Sequence, residues 1–473
     1  MFDLLLILLI IPLAGCLFAL TARKNSANAF RVALFTMGTG IFTILRLFTS
    51  LKIQNEAPRL QYVINWFAKA DINLLLSVDY FSLLLLLGIY MALVIGLIGL
   101  SAEMRRQKPL FVLFLYFVWH ITGLLMAGDM ILFYIFFAGM LVPLFMLIGH
   151  DQIKKKSTLY TFFLFNFGGV LIFLIAILIA YKYYHGNLQL HEFVLMKMPK
   201  TTNRIVWSGV CLALVSRIPI WPFHYWLSTL GANIKNPLVY IITNLLPLTG
   251  LYGFMRFWQL SIAKSILPYM PAVVAVCLVT MLVIALIGIA HKEFLYKLFT
   301  YMTIFYLLFL LAEILLSSVL LADTLQMNIA YSLFIFLIVT ASLVVLDMRM
   351  ERECAEKKCD YRGALAYMPK RARVFAFFTL VALGLPISAM FWNNFIIISS
   401  LFRFNFIIGV MVMAAIGLIS VSMLYELYVM RDLKSHIDNE REITDISRES
   451  LLFFTAIIVV IILSFFNPLW FVF

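Results

Sequence analysis

Apolar runs of about 20 residues recur some fourteen times along this chain, each long enough to cross a hydrocarbon layer roughly 30 Å thick. They lie near residues 2–21, 28–51, 80–100, 109–128, 130–149, 158–182, 205–230, 236–258, 267–290, 294–316, 318–346, 374–400, 404–430 and 450–472. Lipid offers no partner to backbone polar groups, so such a chain folds as an all-α polytopic membrane protein. Its composition agrees: 64% of the residues are hydrophobic and 12% charged, against about 45–50% apolar and about 25% charged in soluble domains. The stretch 52–78, with the alternating I-N-L-L-L-S-V-D, predicts a short hairpin on the membrane surface. The first apolar run has no basic stretch before it and is expected to be a span, not a removable leader.

The formal net charge of +13 does not point to a nucleic-acid partner. The basic residues sit in short loops between spans, where orientation bias places them. With the N-terminus outside, roughly 24 Lys and Arg fall on the inner side and roughly 10 on the outer. Both termini are therefore expected to be periplasmic, in a bacterial inner membrane. The loop 182–204 runs against this bias.

One stretch carries more chemistry than the rest. From Arg217 the chain reads R-I-P-I-W-P-F-H-Y-W-L, then continues through a proline-led span that ends G-L-Y-G-F-M-R-F at Phe257. Pro219 and Pro222 interrupt any helix that carries Arg217, and a broken helix in a bilayer survives only where protein or water covers the freed groups. A charge beside such a break marks an ion or substrate path. The alternative is an arginine near a helix end that snorkels to the headgroups.

The remaining ionisable groups are few. Asp129, in a very short link, is expected at the membrane surface, and His120 is either a satisfied polar residue between helices or part of a proton relay. His224, between Trp221 and Trp226, suggests an interfacial position. Glu313 and Asp323 flank an outer turn and are expected to be solvated, while Glu426 is expected to pair with Arg431. Cys16, Cys211 and Cys277 read as small core residues; Cys354 and Cys359 lack the second pair or histidine that would complete a zinc set. No metal site, cofactor motif or nucleophile–base pair stands out.

The run from Arg217 to Leu227 and the span ending at Phe257 resemble the antiporter-like membrane subunits of respiratory complex I, nearest to the M type. V-D-Y-F-S-L-L-L at 78–85, D-M-I-L-F-Y-I-F-F-A-G-M-L-V-P-L at 129–144, K-L-F-T-Y-M-T at 297–303, A-L-A-Y-M-P at 364–369, A-L-G-L-P at 382–386 and D-I-S-R-E-S at 445–450 follow the family in order. The resemblance implies about 14 transmembrane helices with two inverted five-helix repeats, each holding a broken helix. It implies an N-terminal three-helix region with a surface hairpin (1–108), a first repeat (109–258), a second repeat (259–432) and a C-terminal loop and last helix (433–473). It also implies other membrane subunits as partners, no cofactor, no redox centre of its own, and protons passed along a central row of titratable side chains.

On that row the chain departs from the family. The resemblance places the fifth-span glutamate at Ala138, the lysine of the first break at Arg217 and the central lysine at Leu248, after Pro247. It places the histidine of the ninth-span motif at Tyr306, the eleventh-span histidine and lysine near Ala330 and Phe334, and the twelfth-span acid at Asn394. Either the proton route has moved onto Arg217, His224, Asp129, Asn394, Asn328 and ordered water, or the subunit keeps the fold with its half-channels closed. A third reading is an independent secondary transporter for an ion or small anion, with Arg217 as the contact.

Overall fold

Where the apolar runs are long enough, the backbone satisfies itself in helices. In the computed structural model these are α1 (Asp3–Thr21), α2 (Asn28–Ile53), α3 (Tyr80–Gly99), α4 (Lys108–Met126), α5 (Met130–Gly139), α6 (Leu141–His150), α7 (Lys156–Tyr183) and α8 (Lys200–Val215). They continue with α9 (Pro237–Phe257), α10 (Met270–Ala290), α11 (Phe294–Leu316), α12 (Ala322–Lys357), α13 (Pro369–Ala382), α14 (Ala389–Phe404), α15 (Phe406–Arg431) and α16 (Arg448–Phe465). The structure describes residues 3–23, 27–53, 60–67, 72–151, 156–183, 199–221, 223–224, 226, 230, 234–258, 269–316, 322–357, 368–386, 388–431 and 448–465. Pro222 and Cys359 lie outside the described residues. Among the described residues, eleven helical segments are long and apolar enough to cross a membrane, with α5 and α6 forming one of them. Together with α8, the α13–α14 pair and α16, they account for the fourteen apolar runs.

Two strands, β1 (Leu60–Phe67) and β2 (Ile72–Val78), pair antiparallel within the stretch where the alternating sequence predicts a hairpin. Strand β2 is tied to the link between α4 and α5, where the Gly128 amide donates to the Leu75 carbonyl at 2.7 Å.

The chain divides into two units, Met1–Thr280 with Tyr306–Met327, and Met281–Phe305 with Asn328–Phe473. In the first, α1 packs on α2 and α4, α3 on α2 and α9, and α7 on α8. In the second, α14 packs on α15 and α16, and α13 on α15. Burial follows sequence character. Every residue of α9 except Arg256 is buried, while α1 and α15 turn most of their surface outward, with Phe18, Phe406 and Ile407 exposed as lipid-facing side chains are.

A two-pronged ion pair fixes one end of the first unit. Asp79 caps α3, accepting from the Ser82 amide at 2.9 Å while the Ser82 hydroxyl accepts from the Asp79 amide, a reciprocal capping box. Its two oxygens also receive the Arg256 guanidinium, both contacts at 2.6 Å. Arg256 Nε donates to the Tyr252 hydroxyl, which donates to the Leu125 carbonyl. One cluster thus joins α3, α4 and α9. Burial raises the Asp79 carboxyl, and the Arg256 charge and the bonds from Arg256 and Ser82 more than reverse this, holding it well below the usual carboxylate range.

Asp79→Asn keeps a capping acceptor and removes only the charge, so it should cost about 2 kcal/mol in thermal unfolding of the solubilised chain at neutral pH. Because the folded carboxyl ionises below its unfolded value of 3.8, the gap between wild type and variant should persist above about pH 5 and narrow only in more acid solution.

Candidate functional site

In the first unit the sequence break becomes a physical one. Helix α8 tightens at its end: the Arg217 amide donates to Leu214 and the Ile218 amide to Val215, each three residues back. Pro219 has no amide to continue the ladder, and the chain leaves the helix. Helix α9 approaches at Gly250, where a Cβ would stand 2.6 Å from the Leu214 carbonyl and 3.1 Å from the Arg217 Cβ. Only glycine lets the two backbones come this close.

Arg217 is fully buried and does not snorkel, which overturns that alternative. One guanidinium nitrogen donates to the Thr249 hydroxyl at 2.9 Å and lies 3.9 Å from the Met140 sulfur, and the other terminal nitrogen donates to the Phe137 carbonyl. The guanidinium carbon stands 3.3 Å from the centroid of the Phe137 ring. Nε is buried with no partner, and no carboxylate pairs with Arg217 among the described residues. Hydrogen bonds to a charged group contribute about 1.5–3 kcal/mol each and a desolvated cation–π contact about 2 kcal/mol. Neutral groups therefore carry the whole load of holding this cation.

The other first-unit positions are equally free of charge. Pro143 removes an amide from its helix, and the helix is interrupted at Met140, between α5 and α6, just after the half-buried Ala138. Leu248 is buried in α9, beside Pro247. The Tyr306 hydroxyl donates to the Asn244 carbonyl at 3.1 Å. His120 is buried, its Nδ1 bonded to the Tyr116 carbonyl at 2.8 Å and its ring packed edge-on to Tyr116 and Trp119, with Nε2 against Gly139. His224 is half-buried; Trp221 beside it is exposed, whereas Trp226 is fully buried against Phe162.

One further expectation needs correction, that for Glu313. Asp129, at the start of a span, is buried and caps α5, accepting from the Leu132 amide at 2.8 Å. Burial pushes its carboxyl up to about 6, against the pull of the amides of Leu132, Ile131 and Leu75. Glu313 is not solvated but fully buried in α11, its carboxyl oxygens without a hydrogen bond of ordinary geometry and the Gln326 carboxamide beside it. Its position near a helix end misled the sequence reading, because that end is enclosed by protein.

In the second unit, Glu426 does not pair with Arg431 but with Lys297, both buried, and Lys297 also stands 5.4 Å from the Tyr425 ring. Five residues along a helix put two side chains on different faces, whereas partners lie three or four apart. Asn394 is buried in α14, its Oδ1 unpartnered; Asn328 is half-buried in α12, Ala330 is buried and Phe334 half-buried. Among the described residues no group of three or more His, Cys, Asp and Glu side chains is placed to hold a metal ion.

Two tightly tied breaks, a buried cation and a run of neutral central positions are the geometry to compare with known proteins. Residues 127–421 match the family described as NADH:quinone oxidoreductase/Mrp antiporter, TM. The chain belongs to that family. This family member is 24% identical over 465 residues to NADH-ubiquinone oxidoreductase chain 4 of Marchantia polymorpha, across 96% of this chain and 92% of that one. It is 24% identical over 474 residues to NADH-quinone oxidoreductase subunit M of Rickettsia typhi, across 96% and 94%. It shares its fold with a chain of respiratory complex I from Thermus thermophilus at a TM-score of 0.83, 18% identity and 97% and 95% coverage. The likeness to M-type chains read from the motifs therefore extends over nearly the whole length.

Because the Asp129 carboxyl ionises at about 6 when folded and at 3.8 when unfolded, the folded state binds the proton more tightly. Stability should fall as pH rises from about 4 to about 6 and then level off. Asp129→Asn, which keeps the cap, should flatten that profile in thermal unfolding and be about 2 kcal/mol more stable than wild type at neutral pH.

Proposed function

We propose that this chain is an antiporter-like membrane subunit of a complex I-type energy-converting assembly, seated among other membrane subunits in a bacterial inner membrane with both termini periplasmic. Within that assembly it serves as a packing and coupling element and does not pass protons along a central row of its own. One observation carries this reading: Arg217, the buried cation at the first break, is held by Thr249, the Phe137 carbonyl and the Phe137 ring, with no carboxylate among the described residues to exchange a proton with it. An arginine is effectively never deprotonated, so a fixed guanidinium orders its surroundings and carries nothing. Ala138, Leu248, Tyr306 and Asn394 stand where the resemblance puts proton-carrying groups, and an alanine, a leucine, a hydrogen-bonded phenol and an amide relay no proton at neutral pH. Replacing a buried charge by a packed neutral side chain is often neutral or stabilising, so such losses accumulate readily once transfer is not required.

The unpartnered Nε of Arg217 favours a second reading, an independent transporter in which a small anion meets that nitrogen. The two part company on one point: a transporter works alone, whereas a subunit works only with its partners.

Proton flux per electron should be measured in sealed vesicles bearing the native assembly. Arg217→Met, similar in length and uncharged, should leave the ratio unchanged where the assembly forms, and deleting the chain should break the assembly up. An assembled Arg217→Met complex that no longer couples would overturn the reading in favour of a rerouted path. Anion flux through the purified chain reconstituted alone would establish the transporter.

A further inference from the structure

Helices α1, α2, α3 and α4 pack against one another in the first unit, and the connections α1–α2 and α3–α4 bring four helix ends to one membrane face. That face is strongly basic. Among its described residues Arg23, Arg31, Arg105, Arg106 and Lys108 meet a single acid, Glu103. Two of the five cations have a structural task. Arg105 donates to the Ile98 carbonyl at 3.1 Å, near the end of α3, with its guanidinium carbon 4.9 Å from the centroid of the Phe30 ring, and Lys108 donates to the Leu20 carbonyl near the end of α1. Cations that close the last carbonyls of a helix sit where its dipole favours them.

Arg31 and Arg106 have no such task. Both are exposed, and neither pairs with a carboxylate among the described residues. Helix α2 packs against the short turn Met104–Arg106, which sets Arg106 near the start of α2. Their surroundings are also electrostatically unfavourable. Arg31 lies in the first turn of α2, Lys108 opens α4, and neither helix has an acidic residue in its first turn. A helix N-terminus carries positive partial charge and favours anions, so two such ends among five cations and one described carboxylate repel what surrounds them. An anion brought from outside the chain offsets this.

The surface below Arg31 says where that anion comes from. Arg31, Phe35, Gly38 and Phe42 follow at intervals of four, three and four residues, on one face of α2. Phe35 is 75% exposed and Phe42 65%, and a Cβ on Gly38 would meet nothing within 4 Å, so the glycine leaves an open notch between the two rings. A cation at the head of an exposed apolar stripe fits an amphiphile with a negative head better than it fits a free anion.

We propose that this face binds an anionic phospholipid, whose phosphate is met by Arg31 and Arg106 and one of whose acyl chains runs down α2 through the notch at Gly38. Charge complementarity sets the class: a lipid with net negative charge is held here, whereas a zwitterionic lipid brings its own cation to an already positive surface and is not.

The test uses the native assembly in bilayer discs of phosphatidylcholine, with a trace of one of two probes: phosphatidylglycerol or phosphatidylcholine, each carrying a diazirine midway along one acyl chain. After illumination, labelled peptides are mapped by mass spectrometry. Segment 35–42 is compared with segment 171–178 of α7, where Leu171, Ile175 and Leu178 are exposed and no charged residue lies. The ratio of anionic to zwitterionic labelling should be about tenfold higher at 35–42 than at 171–178, within what two cations near a lipid phosphate supply. Arg31→Gln combined with Arg106→Gln should bring it down to the α7 ratio in complexes that still copurify, and excess inorganic phosphate at constant ionic strength should leave the wild-type difference unchanged. Equal ratios in the two wild-type segments would overturn the proposal in favour of basic residues that serve orientation alone. Absence of labelling at 35–42 would overturn it in favour of a covering subunit, and loss of the difference on adding inorganic phosphate in favour of a free anion. The wild-type comparison decides the matter even if the variants fail to assemble.

Discussion

Each helix that stops inside a bilayer leaves backbone groups that lipid cannot satisfy, and the way this chain closes those openings governs the rest of its structure. At the first break the last amides of α8 fold back onto carbonyls three residues behind, and the Arg217 side chain reaches across to the Phe137 carbonyl near the interruption between α5 and α6. At the second, Gly384 reverses the chain so that amides just past the end of α13 turn back onto its own carbonyls. Among the described residues, both openings are closed by backbone, hydroxyl and carbonyl groups, and neither uses a carboxylate.

Charge has moved to helix ends. Asp79 with Arg256 in the first unit, and Lys297 with Glu426 and Arg371 with Glu353 in the second, are ion pairs at or near helix termini, where one partner is set by a cap or a short loop. Such pairs pin helices to one another. They are separated from the central positions, which Leu248, Tyr306, Ala330 and Asn394 leave without charge. Arg217, the buried cation at the first break, is immobilised by Thr249 and Phe137, and this is what the proposed packing and coupling role asks of it.

Periodicity and punctuation made much of this legible from sequence. Apolar run lengths gave the helices and Pro219 the first break, while the second came only with the family resemblance that A-L-G-L-P carries. What the sequence could not convey was long-range partnership. Asp79 and Arg256 both lay in motifs that carried the family resemblance, yet their pairing spans 177 positions, and only the packing of α3 on α9 brings them together. Lys297 and Glu426, 129 apart, were missed for the same reason, and a local partner five residues away was preferred although helix geometry disfavours it. Glu313 was misplaced because distance from a helix end stood in for exposure, which fails wherever the end itself is enclosed. The Asp79 capping box was visible in D-Y-F-S and went unread.

Ordered water is the feature that separates a proton-carrying subunit from a closed one. A reconstruction of the native assembly by electron cryomicroscopy, at a resolution that shows individual waters, would test this directly. A closed subunit should show at most isolated waters, such as one on Arg217 Nε, with packed side chains around Leu248 and Tyr306. An unbroken hydrogen-bonded file of waters joining Arg217 to a membrane face would contradict the central claim and return this chain to the proton-carrying members of its family.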